Sequence, residues 1–281
     1  GEIKTNKNSM IVSIDENGKL LGYRDLIYNN QKSYILSGTR LQNNDFLLTG
    51  YTRKRNDEWA DILLMRLDSN YNSVWMKSYG AMNADDKGYS AVELNQNEFW
   101  VLGHTKTTKN GIMLLKVDLD GNEKWFSFLP KIKCTFANNM IKASNSELFI
   151  SGTYKNKLFA TKVDTNGTQK WYYSYFDDKN THRAYDLIKT SDDGLLITGN
   201  STGTNVNKNF DILLIKLSKN GEEEWTQLFG NESSEVSYAI KETQNMEYII
   251  AGHALVDKKN RIYNSFIIKT DIHEYKYPIY V

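Results

Sequence analysis

The stretch Asp211-Ile-Leu-Leu-Ile-Lys-Leu-Ser-Lys-Asn-Gly-Glu-Glu-Glu-Trp225 decides how the rest of the chain is read. An apolar run leads to one basic residue, then to a polar turn, then to a Trp. The same order occurs in Asp61-Ile-Leu-Leu-Met-Arg-Leu-Asp-Ser-Asn-Tyr-Asn-Ser-Val-Trp75, in Ile112-Met-Leu-Leu-Lys-Val-Asp-Leu-Asp-Gly-Asn-Glu-Lys-Trp125 and in Leu158-Phe-Ala-Thr-Lys-Val-Asp-Thr-Asn-Gly-Thr-Gln-Lys-Trp171. Four copies of one pattern define an internal repeat, and a repeat dictates architecture before it dictates chemistry.

Two markers set the period. Apolar runs end in glycine at Gly50, Gly103, Gly152, Gly199 and Gly252, at intervals of 53, 49, 47 and 53 residues, and the Trp positions 75, 125, 171 and 225 lie 50, 46 and 54 apart. A unit of about fifty residues made of short strands is the size of a propeller blade. Four strands, A to D, are expected per unit; around Trp125 they fall over 89–94, 98–103, 112–118 and 124–128. Tight turns rich in Asn, Asp and Gly join A to B (Asn95-Gln-Asn) and C to D (Asp118-Leu-Asp-Gly), as hairpins require. The remaining inner A strands are expected over 33–41, 138–143, 184–190 and 237–242. The chain opens in mid-repeat with a C–D half unit over 10–28. The expectation is an all-β chain, one β-propeller domain of four-stranded blades over 1–281, with five complete units and a half unit. Six blades is the favoured count and five the alternative.

Composition removes several functions. With a net charge of +1 and 25% charged residues, no global field draws in nucleic acid. No apolar run approaches the roughly eighteen residues that a spanning helix needs. Cys134 is the lone cysteine, so neither an intrachain disulfide nor a Cys metal cluster can form, and it reads as a small buried apolar group. No signal peptide or lipidation motif is legible, as would also hold for a processed chain.

The pattern apolar–Lys–apolar–Asp-x-x-Gly-x-x-x-Trp, followed by an apolar strand ending in Gly, resembles the bacterial and archaeal secreted β-propeller repeat proteins of the quinoprotein-like type. The resemblance implies that Trp75, Trp125, Trp171 and Trp225 on the outer strands pack between neighbouring blades. It also implies an extracellular or cell-envelope location, secreted or anchored as a lipoprotein. Gly22 and Pro278 stand where the first and last copies would carry Trp.

Other motifs read as structure. In Asp118-Leu-Asp-Gly-Asn the glycine comes two places too early for a calcium loop, so a hairpin turn is expected. Gly121 precedes Trp125 by four residues, which is not the spacing of a sialidase Asp box. The basic row at 66, 116, 162, 216 and 269 is expected to cover apolar surface with its stems rather than to line a channel. His104 and His253 follow equivalent glycines and read as loop-edge residues, not as a metal pair. No nucleophile elbow and no phosphate-cradling loop is present, so no catalytic, cofactor or metal residue is assigned.

Strand order nevertheless defines a working face. A–B and C–D turns share one edge of each sheet, and the longer B–C and D–A connections share the other, where binding residues usually sit. The B–C connections are basic (Arg53-Lys-Arg, Lys106-Thr-Thr-Lys, Lys258-Lys-Asn-Arg) and the D–A connections acidic or polar (Asp85-Asp86, Asp177-Asp178, Asn231-Glu-Ser-Ser-Glu). Trp59, Arg55, His253 and Tyr263 are the candidate binding residues, because aromatic and Arg side chains supply most interface hot spots. The expected function is a non-enzymatic interaction module that holds a protein or glycan on this face. The alternative is a glycan-active hydrolase or lyase with carboxylates near the propeller axis.

Overall fold

The computed structural model describes residues 9–53, 59–81, 84–106, 111–129, 136–176, 179–202, 209–230, 233–257 and 259–270, and these form strands and turns with no helix. Contacts group the chain into two compact units, Gly1–Ile132 and Lys133–Val281. The first unit holds a two-stranded sheet, β1 (Ser9–Ile14) and β2 (Leu20–Leu26), then two four-stranded sheets. These are β3 (Lys32–Arg40), β4 (Phe46–Arg53), β5 (Asp61–Leu67), β6 (Ser73–Tyr79), and β7 (Asp86–Asn95), β8 (Glu98–Thr105), β9 (Gly111–Asp118), β10 (Glu123–Phe128). The second unit holds β11 (Phe136–Ser144), β12 (Glu147–Tyr154), β13 (Lys157–Asp164), β14 (Gln169–Tyr175), and β15 (His182–Lys189), β16 (Leu195–Thr202), β17 (Phe210–Leu217), β18 (Glu223–Phe229). Its last sheet is β19 (Ser234–Glu242), β20 (Tyr248–Asp257) and β21 (Ile262–Thr270). All neighbours are sequential and antiparallel, so the A–B–C–D order of the repeat is the order of each sheet. Pro278, His273 and Cys134 lie outside the described residues.

The core lies between stacked sheets. In the first unit Leu47, Ile62 and Leu64 of one sheet pack with Phe99, Val101 and Met113 of the next, and in the second Phe149 and Ala160 pack with Leu187, Ile197 and Leu213. Middle strands meet apolar neighbours on both faces, which is why Ile62-Leu-Leu-Met65 needs no polar alternation. Each such fully buried Leu, Ile or Phe contributes about 1.5–3 kcal/mol by leaving water.

The marker glycines are not strand ends. Strands β4, β8, β16 and β20 run on past them to Arg53, Thr105, Thr202 and Asp257. Opposite each glycine the first strand of the sheet carries an extra residue, in turn Leu36, Tyr89, Asn138, Tyr185 and Tyr238. The bulge drives the two backbones together, and a Cβ on Gly50 or Gly199 would overlap the carbonyl oxygen of Tyr34 or Arg183. Glycine is therefore required by close approach.

The short-turn edge repeats three devices. Asp118 Oδ1 accepts backbone N–H groups from Asp120 (3.0 Å) and Asn122 (2.8 Å), and Asp68 and Asp164 do the same in their own hairpins. The calcium-like stretch is thus a hairpin turn. Trp75 Nε1 donates to Leu119 O (2.8 Å) and Trp171 Nε1 to Lys219 O (3.2 Å), each on the C–D turn of the next sheet in its unit. Both Trp side chains are half-buried there, whereas Trp100, which no repeat marker singles out, is 0% exposed. The basic row is tied to acids in the A–B turn or at the start of strand B: Arg66–Asp45 (2.8 Å), Lys116–Glu98 (3.5 Å), Lys162–Glu147 (2.9 Å), Lys216–Asp192 (2.7 Å) and Lys269–Glu247 (2.8 Å). Stem burial is only part of its role; each head holds an acid of its own sheet, and Arg66 also donates to Leu119 O of the next sheet (3.0 Å).

Candidate functional site

At the opposite edge the two units differ. In the first, Tyr34 and Tyr51 pair across β3 and β4 with their rings stacked at 4.7 Å. Lys87 Nζ lies 4.8 Å and Arg53 Cζ 5.9 Å from the Tyr51 ring centre. Asp85 gathers both cations, at 3.0 Å from Arg53 and 3.7 Å from Lys87, and also accepts the Ala60 N–H (3.2 Å). The basic B–C and acidic D–A connections therefore meet and neutralise each other here. Asp86 does not join them: it turns inward and is buried, as is Glu235 at the start of β19.

In the second unit the same edge carries a row of touching rings. Tyr185 meets Tyr238 edge-on at 5.2 Å, Tyr238 meets His253 at 5.3 Å, and His253 meets Tyr263 edge-on at 4.8 Å. Edge-to-face contact at these spacings is the favoured aromatic arrangement. Tyr238 is 49% and Tyr263 52% exposed, so the row presents ring surface to solvent. Tyr185 and Tyr238 are the bulged residues of β15 and β19, and the bulge is what re-aims them.

Asp186, next to Tyr185, holds the underlying strands. Its Oδ1 accepts from Asn139 Nδ2 on β11 (2.6 Å) and from Leu187 N (2.9 Å), and its Oδ2 accepts from Ile240 N on β19 (3.0 Å). Burial raises its carboxyl above the ordinary range, with those three donors pulling the other way. Three inner strands are thereby pinned by one side chain, and Asn138 Nδ2 adds a bond to Ala184 O. The Tyr238 phenol is also pushed up, by burial first and then by Tyr185 and Tyr263.

Of the four residues expected from sequence, His253 and Tyr263 are brought into contact. Both sit in strands, β20 and β21, so the connection between those strands is shorter than the stretch from His253 onwards suggests. Trp59 stands in the first unit, 40% exposed and one residue before Ala60. Arg55 lies outside the described residues, as do 177 and 178. His104 is not at a loop edge: it is inside β8 and buried, with its imidazole pushed down by burial and then by Lys106 and Lys87. Tyr185 and Tyr238 were missed by motif reading, yet each lies fourteen residues before its marker glycine, as do Leu36, Tyr89 and Asn138. Aligning on that spacing puts three tyrosines in one column. Among the described residues no three His, Cys, Asp or Glu side chains converge to hold a metal ion.

No family model matches the chain, and no curated protein matches it. Solved structures do share its fold. A GH43 β-1,3-galactosidase, BT3683, with galactodeoxynojirimycin is similar over 98% of both chains at 10% identity and a TM-score of 0.51. A triple arginine-to-alanine mutant of AofleA from Arthrobotrys oligospora is similar over 94% of this chain and 78% of its own, at 11% identity and a TM-score of 0.51. Likeness at that identity is likeness of fold, and the fold is the β-propeller built from four-stranded antiparallel blades.

Proposed function

We propose that the protein is a non-enzymatic β-propeller binding module that takes a neutral glycan chain on the row Tyr185, Tyr238, His253 and Tyr263. The observation that carries this reading is the row itself: four rings in contact, two of them about half exposed, with no charge among the three tyrosines. Sugar rings offer C–H faces that lie on aromatic faces, while their hydroxyls reach the phenol groups at the rims. A rigid strand framework pinned by Asp186 keeps the ordering cost of such a platform low. The charged group around Asp85 gives the first unit a different chemistry, and Trp59 with Arg55 is the proposed contact there.

The hydrolase reading needs two carboxyl groups converging on the bound sugar. Asp186 adjoins the row, but its oxygens are taken by Asn139 and two backbone N–H groups, a structural use. Six blades' worth of repeat, with β1–β2 as the half unit, is the proposed count. An extracellular or envelope location is proposed on the resemblance of the repeat to secreted propeller proteins.

The test is calorimetric titration with neutral hexasaccharides of glucose, galactose, xylose and mannose. Tyr238→Ala/Tyr263→Ala should weaken the best binder at least about tenfold. Its unfolding free energy should stay within about 1 kcal/mol of the parent, since both rings are half exposed. Undiminished affinity in that variant, or no binding by any of the four, would reject the reading. Release of new reducing ends would favour the hydrolase, and Trp59→Ala reports the first unit's share.

A further inference from the structure

A cavity of about 280 Å³ opens inside the first unit, between the sheet β3–β6 and the sheet β7–β10. None of its lining residues belongs to the aromatic row. Asp86 and Thr105 face each other across β7 and β8 at its inner end, each 1% exposed. Asp86 Oδ2 accepts the Ala81 N–H at 2.9 Å. Asp86 Oδ1 and Thr105 Oγ1 are buried with no hydrogen-bond partner.

Such a pair is costly to leave unmet, because a carboxylate oxygen taken from water must recover its hydrogen bonds elsewhere. The repeat shows that the cost is avoidable. One sheet earlier the same two positions are Ser33 and Thr52, and there Thr52 Oγ1 donates to Gln31 Oε1 (3.0 Å) and Lys32 O (3.2 Å), while Ser33 Oγ donates to Gln31 O (3.4 Å). In β7 and β8 the position holds an acid instead and the partners are gone.

The walls state what would fit. Met113 and Leu115 form an apolar floor, and Phe126, edge-on to Phe128 at 5.0 Å, stands 38% exposed on the outer strand. Glu123 supplies a second carboxylate, and no Lys, Arg or His is among the described lining residues. Gly80 leaves room beside the acids: a Cβ there would overlap Asp61 Oδ1 and come within 3.2 Å of Asp86 Oδ2. Two acids, a hydroxyl acceptor and an aromatic wall select a cation with an apolar body. An ammonium carries three donors and no acceptor, which is the complement of Asp86 Oδ1 beside Thr105 Oγ1. The volume, at the low end of ligand pockets, restricts the body to a small one.

We propose that this cavity binds a small primary amine with an apolar or aromatic body, its ammonium donating to Asp86 Oδ1 and Thr105 Oγ1 and its body lying against Met113 and Phe126. The charge-assisted bond to Asp86 sets affinity, and the wall sets the preference for an aromatic or branched body.

Phenethylamine is the probe, titrated into the full chain and followed by calorimetry and by NMR shifts. The amine should saturate the protein and bind at least about tenfold more tightly than phenethyl alcohol, with phenylacetate not binding. Asp86→Asn keeps an oxygen for the Ala81 N–H and should lower amine affinity at least about tenfold. Phe126→Ala, on an exposed face, should lower it several-fold with folding intact, and decides the matter together with Thr105→Val if the Asn variant does not fold. Equal binding of alcohol and amine, undiminished binding in these variants, or no amine binding at millimolar concentration would each overturn the proposal. The Tyr238→Ala/Tyr263→Ala variant should bind the amine normally, which separates this site from the glycan row.

Discussion

Tyr51 and His253 occupy one position of the repeat, each directly after the glycine of its strand, yet they keep unlike company. Tyr51 is stacked on Tyr34 and overlaid by Lys87 and Arg53, and burial followed by Tyr34 and Asp85 pushes its phenol up against the pull of Arg53. His253 is bracketed by Tyr238 and Tyr263. The backbone slot is shared and the chemistry is not. At the short-turn edge the reverse holds: Trp75 and Trp171 seal onto the next C–D turn in the same way in both units. Hairpin geometry and sheet stacking constrain these two copies alike, so the device is shared between the units. The loop-side rings meet side chains rather than a shared backbone turn, and those side chains differ between the two units.

The largest effect should come from the uniform edge. Trp75→Ala and Trp171→Ala should each cost about 2–4 kcal/mol, below or near the figure for a fully buried Trp because both are half-buried. Urea denaturation measures it. A cost in one unit less than half that in the other would break the equivalence of the two edges.

A smaller effect separates Tyr51 from His253. His253→Ala removes the ring that joins Tyr238 to Tyr263 and should weaken glycan binding about three- to tenfold. Tyr51→Ala should leave that affinity within about twofold, since Tyr51 is engaged with cations of its own unit. Equal losses in the two variants would mean that the loop-side edge is as uniform as the other.

The smallest effect is in acid. The Asp164 carboxyl is held down to about 2: burial opposes this, but Lys170 and the Thr168 and Asn166 N–H groups outweigh it. A carboxyl depressed in the folded state stabilises the fold above its unfolded value near 3.8, and that contribution is lost as pH falls from there toward about 2. Asp164→Asn should therefore lower stability modestly at pH 7, where the carboxylate contributes in full, and flatten the profile between about pH 4 and pH 2, so that variant and parent converge near pH 2. Asp118, lowered by the same kind of N–H bonds in the first unit, should behave alike, and a variant pair with different acid slopes would count against the shared turn.

The sequence by itself determined the repeat, the strand order and the turn chemistry. These rest on interactions within one unit of about fifty residues: the apolar run of a doubly covered strand, the Asp that caps its own hairpin, the Gly that a bulge demands. Inner strands expected over 33–41 and 237–242 appear as Lys32–Arg40 and Ser234–Glu242. Such features are local, and local physics is written in local residues. His253 and Tyr263 were legible as loop-side aromatics, and the column of Tyr89, Tyr185 and Tyr238 was available in the fourteen-residue spacing to glycine.

Only the tertiary structure decided which side chains meet across sheets. Tyr185 and Tyr238 are 53 residues apart and touch because β15 and β19 lie side by side, and Asp186 binds both β11 and β19 for the same reason. It also decided that Asp86, read as part of an acidic connection, turns inward beside Thr105, while Asp85 next to it faces Arg53. Alternation along a strand sends adjacent residues to opposite faces, and which face is the cavity depends on the sheet packed against it. No periodicity within one repeat contains that information, because it belongs to the pair of sheets and not to either one.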